Sequence, residues 1–340
     1  MLRKIVCLVC GILLPLVAFS VSLSENAPQT YTIQSGDTLW GIASKYLDKP
    51  WEWHDLWHAN PHIKNPNRIY PGMRLTLHSN SETPYITVTG QGTYKLSPHA
   101  RFHPSRHAVP TIPLNQIKPF LNESIVFNED LLTKSAYIVG YAGEHLRAGQ
   151  DVELYVQNLP KTSHKMYTVY RPSGEYKDPH TQETLGYIAE YIADLQLVAS
   201  GQPATLMVTK IQDVVKIGDR VLPKSGVDFP VYFEPKTPLT SIQAEVIDFF
   251  GGLTQVAQNQ VIVINFGKKA GVQPGDVFAL YARGEKILDP TMDPKEKKEI
   301  QLPNRRLGEA MVFHAFDKVS YALIVHSTET IHKGDLATSP

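Results

Sequence analysis

Tyr31-Thr-Ile-Gln-Ser-Gly-Asp-Thr-Leu-Trp-Gly-Ile-Ala43 and Ile69-Tyr-Pro-Gly-Met-Arg-Leu75 are the stretches that decide how this chain is organised. Tyr31–Ile33 reads as a short strand, and Ser35-Gly36-Asp37 as a turn with Asp37 placed to cap a helix. Leu39, Ile42, Ala43 and Tyr46 then recur at the spacing of an amphipathic helix, until Asp48-Lys-Pro50 breaks it. A second helix is expected from Trp51 to Ala59, with Trp53, Leu56 and Trp57 on one side and Asn60-Pro61 as its end. Ile69-Tyr-Pro-Gly72 is another turn, and Met73–Leu77 a strand able to pair with the first. All four tryptophans fall here (Trp40, Trp51, Trp53, Trp57), which marks residues 28–79 as a small β-α-α-β module with its own core or an aromatic binding face.

Upstream, residues 1–24 read as a secretory leader. Arg3 and Lys4 precede an apolar run from Ile5 to Phe19, and small residues at Ala18, Ser20 and Ser22 place cleavage between residues 20 and 24. Pro15 and the shortness of the run argue against a membrane anchor, and Val9 before Cys10 argues against lipidation. The expected address is secreted, periplasmic and associated with the cell wall. Removing the leader leaves 31 basic against 33 acidic residues, which disfavours nucleic acid or an anionic membrane as the main partner. It also removes both cysteines, Cys7 and Cys10, so the mature chain has neither disulfide nor thiol nucleophile.

Downstream, prolines at 98, 104, 110, 113 and 119 make residues 80–125 an extended joint, with a strand near Tyr94–Leu96. Beyond it, a weak repeat appears. Gly149-x5-Tyr155, Leu185-Gly186 and Gly218-Asp219 are echoed by Gly275-x5-Tyr281, Leu307-Gly308 and Gly334-Asp335. Short β-type runs lie between, among them Val152–Val156, Tyr187–Ile192, Ala204–Val208, Val261–Ile264, Phe278–Ala282 and Ser320–His326. The expected architecture is multidomain, α+β and then all-β, with two tandem barrel- or sandwich-like units over residues 126–235 and 236–340. Gly267–Asp276 resembles a PDZ-domain turn, but its echo in the other copy favours a hairpin turn of a duplicated unit.

The two opening stretches, the asparagine Asn60 and the β-α-α-β order together resemble a LysM domain, over about 48 of the 340 residues. The chain as a whole is similar to a family of uncharacterised periplasmic LysM proteins. The resemblance implies binding of N-acetylglucosamine-containing glycan, in bacteria usually peptidoglycan, in a groove between two turns. One wall would be Gly36, Asp37, Thr38 and Leu39, and the other Ile69, Tyr70, Pro71 and Gly72. Glycine lets a sugar approach the backbone, whose groups can pair with an N-acetyl amide. Trp40 and Trp51 are the aromatic side chains expected against sugar faces, whereas Trp53 and Trp57 suit the core.

Catalytic patterns are absent from the sequence: no His-x-His, His-Glu-x-x-His, Gly-x-Ser-x-Gly or Ser-x-x-Lys. Two histidine ladders (His54, His58, His62 and His99, His103, His107) are interrupted by prolines, so no metal and no cofactor is expected. The mixed-charge run Asp289–Glu299 reads as a solvated hairpin tip. The reading is a non-catalytic peptidoglycan-binding protein whose β units meet another envelope protein. A hydrolase with an unrecognised site in those units, or a purely structural envelope component, are the alternatives.

Overall fold

The computed structural model describes residues 22–53, 69–79, 84–89, 124–143, 149–160, 164–224, 233, 235–250, 253–288 and 299–340. The leader up to residue 21, both histidine ladders, the Tyr94–Leu96 strand and the run 289–298 lie outside them. The chain forms a small module followed by two β-barrels.

The module pairs β1 (Thr30–Thr32) with β2 (Arg74–His78) in antiparallel register, Tyr31 opposite Leu75. A third strand, β3 (Tyr85–Thr89), adds to β2, so the module's sheet runs on into the stretch read as a joint. Helix α1 (Leu39–Tyr46) crosses the sheet and buries Leu39, Ile42, Ala43 and Tyr46 against Ile33, Trp53, Ile69 and Leu75. The described start of the expected second helix is a 3-10 turn, Pro50–Glu52, and residues 54–59 lie outside the described residues.

Strand β4 (Ser124–Phe127) and the short helix α2 (Glu129–Lys134) lead into the first barrel. Its strands are β5 (Ala136–Tyr141), β6 (Glu153–Gln157), β7 (Met166–Lys177), β8 (Thr184–Ala199), β9 (Ala204–Ile211) and β10 (Arg220–Pro223). They pair in the order β5-β6-β9-β8-β7-β10, and β10 returns to β5, which closes the ring; β4 pairs antiparallel with the first half of β8, ahead of its pairing with β9. The second barrel consists of β11 (Gln243–Phe249), β12 (Val261–Ile264), β13 (Val277–Ala282), β16 (Arg305–Ala315), β17 (Ser320–Ser327) and β18 (Leu336–Thr338). It closes as β11-β12-β17-β16-β13-β18. A hairpin, β14 (Lys286–Leu288) with β15 (Glu299–Gln301), interrupts it between β13 and β16. Numbered within each barrel, both orders are 1-2-5-4-3-6, so the repeat is a duplicated topology.

One local device recurs throughout. In the turns 70–73, 216–219, 273–276 and 332–335 the third residue is a glycine at φ between 92° and 96°. Its N–H and the next residue's carbonyl clamp one buried residue of a neighbouring strand. Gly218 N–H donates to Ile138 O at 2.9 Å and Ile138 N–H to Asp219 O at 3.0 Å; Gly334 and Asp335 hold Val246 in the same way. Asn259 with Gln260 clamps Ile324, and Asp151 with Val152 clamps Val208; Asn259 and Asp151 take the positive φ that glycine takes elsewhere. In the Gly-Asp turns the aspartate closes the loop, as when Asp335 Oδ2 accepts His332 N–H at 2.7 Å. Burial pushes the Asp276 and Asp335 carboxyls above their ordinary range.

These clamps align the barrels residue by residue and correct the repeat. Gly218-Asp219 and Gly334-Asp335 are equivalent, each preceding the sixth strand and holding the first. Leu185-Gly186 and Leu307-Gly308 both lie in the fourth strand but are not equivalent, because pairing of Leu195 with Val208 and of Ala310 with Ile324 puts Ala193 at the place of Gly308. Gly149 precedes a second strand and Gly275 a third, so their spacing to a tyrosine is a coincidence of sequence. Gly267–Asp276 is not a hairpin turn either. It joins β12 to β13, which do not pair, and must cross the barrel end past β17 and β16. On the way Lys268 N–H bonds Phe316 O at 2.7 Å, and a Cβ on Gly267 would sit 2.4 Å from that same oxygen.

The units are packed together. The long β7–β8 hairpin of the first barrel lies on the outside of the second, where Tyr176 and Tyr321 hydroxyls meet at 3.3 Å. At its tip His180 Nε2 lies 2.8 Å from Glu245 Oε2, Asn265 Nδ2 donates to Asp178 Oδ2 at 3.1 Å, and Lys318 pairs with Glu183. Glu245 is also bound by Arg283. The paired arrangement keeps a mostly buried carboxylate satisfied where an unpaired one would be costly.

Candidate functional site

The two turns of the module come together because β1 ends between them. Ile33 N–H donates to Met73 O at 2.9 Å and Gly72 N–H to Ile33 O at 2.8 Å, and the turn Gln34–Asp37 begins at the next residue. Gly36 and Gly72 both sit at positive φ, 97° and 93°, and both are exposed. A Cβ on Gly36 would meet nothing within 4 Å, so open space lies beside that turn.

Asp37 does not cap α1. Its Oδ2 accepts Gln34 N–H at 2.7 Å and the Tyr31 hydroxyl at 2.9 Å, so the carboxylate folds back to close its own turn. The cap is Thr38, whose hydroxyl accepts Gly41 N–H at 3.0 Å. The first backbone bond of the helix runs from Ile42 N–H to Thr38 O, which leaves the N–H groups of Leu39 and Trp40 without an intrahelical partner. Tyr31 is a site neighbour the sequence reading passed over. Burial, aided by the Asp37 carboxylate, raises its phenol pKa, and Lys45 Nζ lies 5.0 Å from its ring centre. The cue was the alternation that puts Tyr31 and Ile33 on one face of β1.

The wall residues divide in two. Asp37, Thr38, Tyr70 and Pro71 are half-buried, with Gly36 and Gly72 outermost; Leu39 and Ile69 are buried in the module's core behind them. Trp40 departs from expectation. It is 5% exposed and Trp51 7%, and the pair stack at 6.3 Å within a buried cluster that includes Phe233, Val263, Phe313 and Tyr321. The same helix thus packs inward through Leu39 and Ile42 and outward through Trp40, whose ring joins the seam with the second barrel and is closed to a sugar. Tyr70, half-buried in its turn, is the aromatic wall residue that lies outside that seam among the described residues. No group of three or more His, Cys, Asp or Glu side chains that could hold a metal occurs among the described residues.

Residues 31–77 match the family profile of the LysM domain, so this is a LysM domain-containing chain. A segment of 64 residues is 34% identical to a Bacillus subtilis (strain 168) protein named Uncharacterized protein YqbP. That similarity covers 16% of this chain and 29% of the relative's length. LysM domains bind N-acetylglucosamine glycans of the peptidoglycan or chitin type and are not themselves catalytic.

Proposed function

We propose that the chain is a non-catalytic peptidoglycan-binding protein that holds two rigid β-barrels at the cell wall. The observation that carries this reading is the junction at Ile33, where two exposed, positive-φ turns are hydrogen-bonded side by side within a LysM domain. An N-acetyl group requires one donor and one acceptor at fixed separation. The free N–H groups at the start of α1 and the carbonyls of the facing turn offer both without side-chain ordering. Gly36, Asp37, Thr38 and Leu39 form one wall, and Ile69, Tyr70, Pro71 and Gly72 the other, with Tyr70 against a sugar face. One open groove gives modest affinity, which a polymeric wall multiplies by avidity.

The proposed location is periplasmic, reached through cleavage of the leader. The packing of residues 22–24 supports a cut upstream of them. Ser24 N–H donates to Tyr46 O at 2.9 Å, Leu23 bridges Leu47, and the Ser22 hydroxyl bonds Asp48 at 2.7 Å. Cleavage after Ser20 keeps this clip and cleavage after Ser22 or Ser24 removes part of it, so the Ala18/Ser20 pair is favoured. Titration calorimetry of the full chain with soluble peptidoglycan fragments and with chitin oligomers tests the glycan reading. Saturable binding to the peptidoglycan fragments that is abolished by Gly36→Asn with Tyr70→Ala is expected. Heat from neither glycan would overturn the reading.

A further inference from the structure

Each barrel extrudes the connection between its third and fourth strands as a hairpin, but among the described residues only the first of the two hairpins packs on another unit. The first, β7–β8, buries Tyr176 against the outside of the second barrel. The second, β14–β15, sets Ile287 directly opposite Ile300, and strand alternation puts Leu302 on that same face. These three side chains are 38%, 38% and 37% exposed. A free hairpin with an apolar face is a surface that soluble proteins ordinarily cover.

The clamps identify the matching receptor. With Ile138 aligned to Val246, Val208 to Ile324 and Asp151 to Asn259, Val139 stands where the second barrel has Ile247. By the same alignment Tyr155 stands at the place of Val263, and Met207 at that of Leu323. In the second barrel Val263 and Leu323 are fully covered by the module and the β7–β8 hairpin. In the first barrel the same outer face is open: Tyr155 is 37% and Val139 38% exposed. Glu153 on this face is exposed and makes no ion pair among the described residues.

We propose that β14–β15 of one molecule docks on the open outer face of the first barrel of a second copy, around Tyr155 and Val139. The occupant is argued from the molecule's own packing, in which a hairpin of one barrel covers this face of the next. Within one chain the second barrel's face is already taken, so the equivalent free face is the first barrel's on another copy. The contact is heterologous: it closes reciprocally into a dimer or propagates as a chain of copies. The proposal is independent of the glycan reading.

Sedimentation velocity of the purified full chain, without glycan, tests it. The sedimentation coefficient should rise with concentration, and both Ile287→Asp with Ile300→Asp and the single change Tyr155→Asp should weaken association by about tenfold or more. All three positions are partly exposed, so circular dichroism should show unchanged folding. A second measurement separates this geometry from other self-contacts. With Cys7 and Cys10 replaced by serine, Ile300→Cys and Tyr155→Cys chains are mixed and treated with a flexible bis-maleimide. Cross-linking between the two variants should exceed cross-linking within either. A chain that sediments as a monomer throughout, association insensitive to both sets of changes, or dominant cross-linking within one variant would each overturn the proposal.

Discussion

The two barrels share one topology and two equivalent turn clamps, yet their outer faces have opposite fates. Position for position, the second barrel carries Val261, Val263, Tyr321 and Leu323 where the first carries Glu153, Tyr155, Thr205 and Met207. The second face is buried under a hairpin and the module's two stacked indoles, whereas on the first Glu153 and Tyr155 are exposed and Thr205 and Met207 half-buried. The interior determines the fold and tolerates little, whereas the exterior records what each barrel meets. A duplicated unit can thus keep its clamps and core while one copy becomes a docking floor.

The sharpest way to break that comparison is to truncate the same kind of ring on both faces. Tyr321→Ala should destabilise the chain by about 3–5 kcal/mol, because the ring is fully buried and hydrogen-bonded to Tyr176. Tyr155→Ala should cost under about 1 kcal/mol, since the residue is 37% exposed and its ring lies over Gly140. Denaturant unfolding of both variants decides the matter, and equal costs would sink the distinction.

The covered barrel also carries a pH signature. Burial lowers the pKa of His314, stacked on Phe316 at 4.1 Å, from 6.5 to about 4. The unfolded chain therefore binds a proton before the folded one does. The histidine's contribution is fully present above pH 6.5 and is lost as pH falls toward about 4, up to about 3 kcal/mol. Unfolding measured across that window should show the loss, and His314→Leu should flatten it. A variant that keeps the same slope would assign the acid sensitivity to other groups.

Smaller effects are expected at the shared turns, and there the barrels should agree. Gly218 and Gly334 sit at φ 92° and 94°, and a Cβ on either would find room, with nothing nearer than Glu245 at 3.8 Å from Gly334. Alanine at each should therefore cost only backbone strain, about 1–2 kcal/mol, and asparagine less. Thermal melts showing one turn tolerant and the other severe would mean the clamps are not equivalent.

The module and most strands were legible in the sequence because their signals are local. Leu39, Ile42, Ala43 and Tyr46 are spaced for one helix face, and runs such as Val261–Ile264 are strands as they stand. The repeat was visible only where both copies kept a Gly-Asp dipeptide. The clamps at Asp151 and Asn259 use other residues, at φ 62° and 66°, to reach positive φ and went unseen. Trp40 was misassigned because a tryptophan's partner is a long-range fact: helical spacing excludes it from the module's own core, but not from another domain's surface. Asp37 was misassigned more narrowly. Asp37 and Thr38 both suit a cap, and the Tyr31 hydroxyl is among the groups that hold the carboxylate in its turn.

The division between groove and seam can be read in one experiment, co-sedimentation of the full chain and two variants with purified peptidoglycan sacculi. The unaltered chain should pellet with the sacculi, and so should Trp40→Ala, since that ring faces the second barrel. Gly36→Asn with Tyr70→Ala should stay in the supernatant. If instead the groove variant pellets like the unaltered chain and Trp40→Ala does not, the wall is bound at the seam and the two turns are structural.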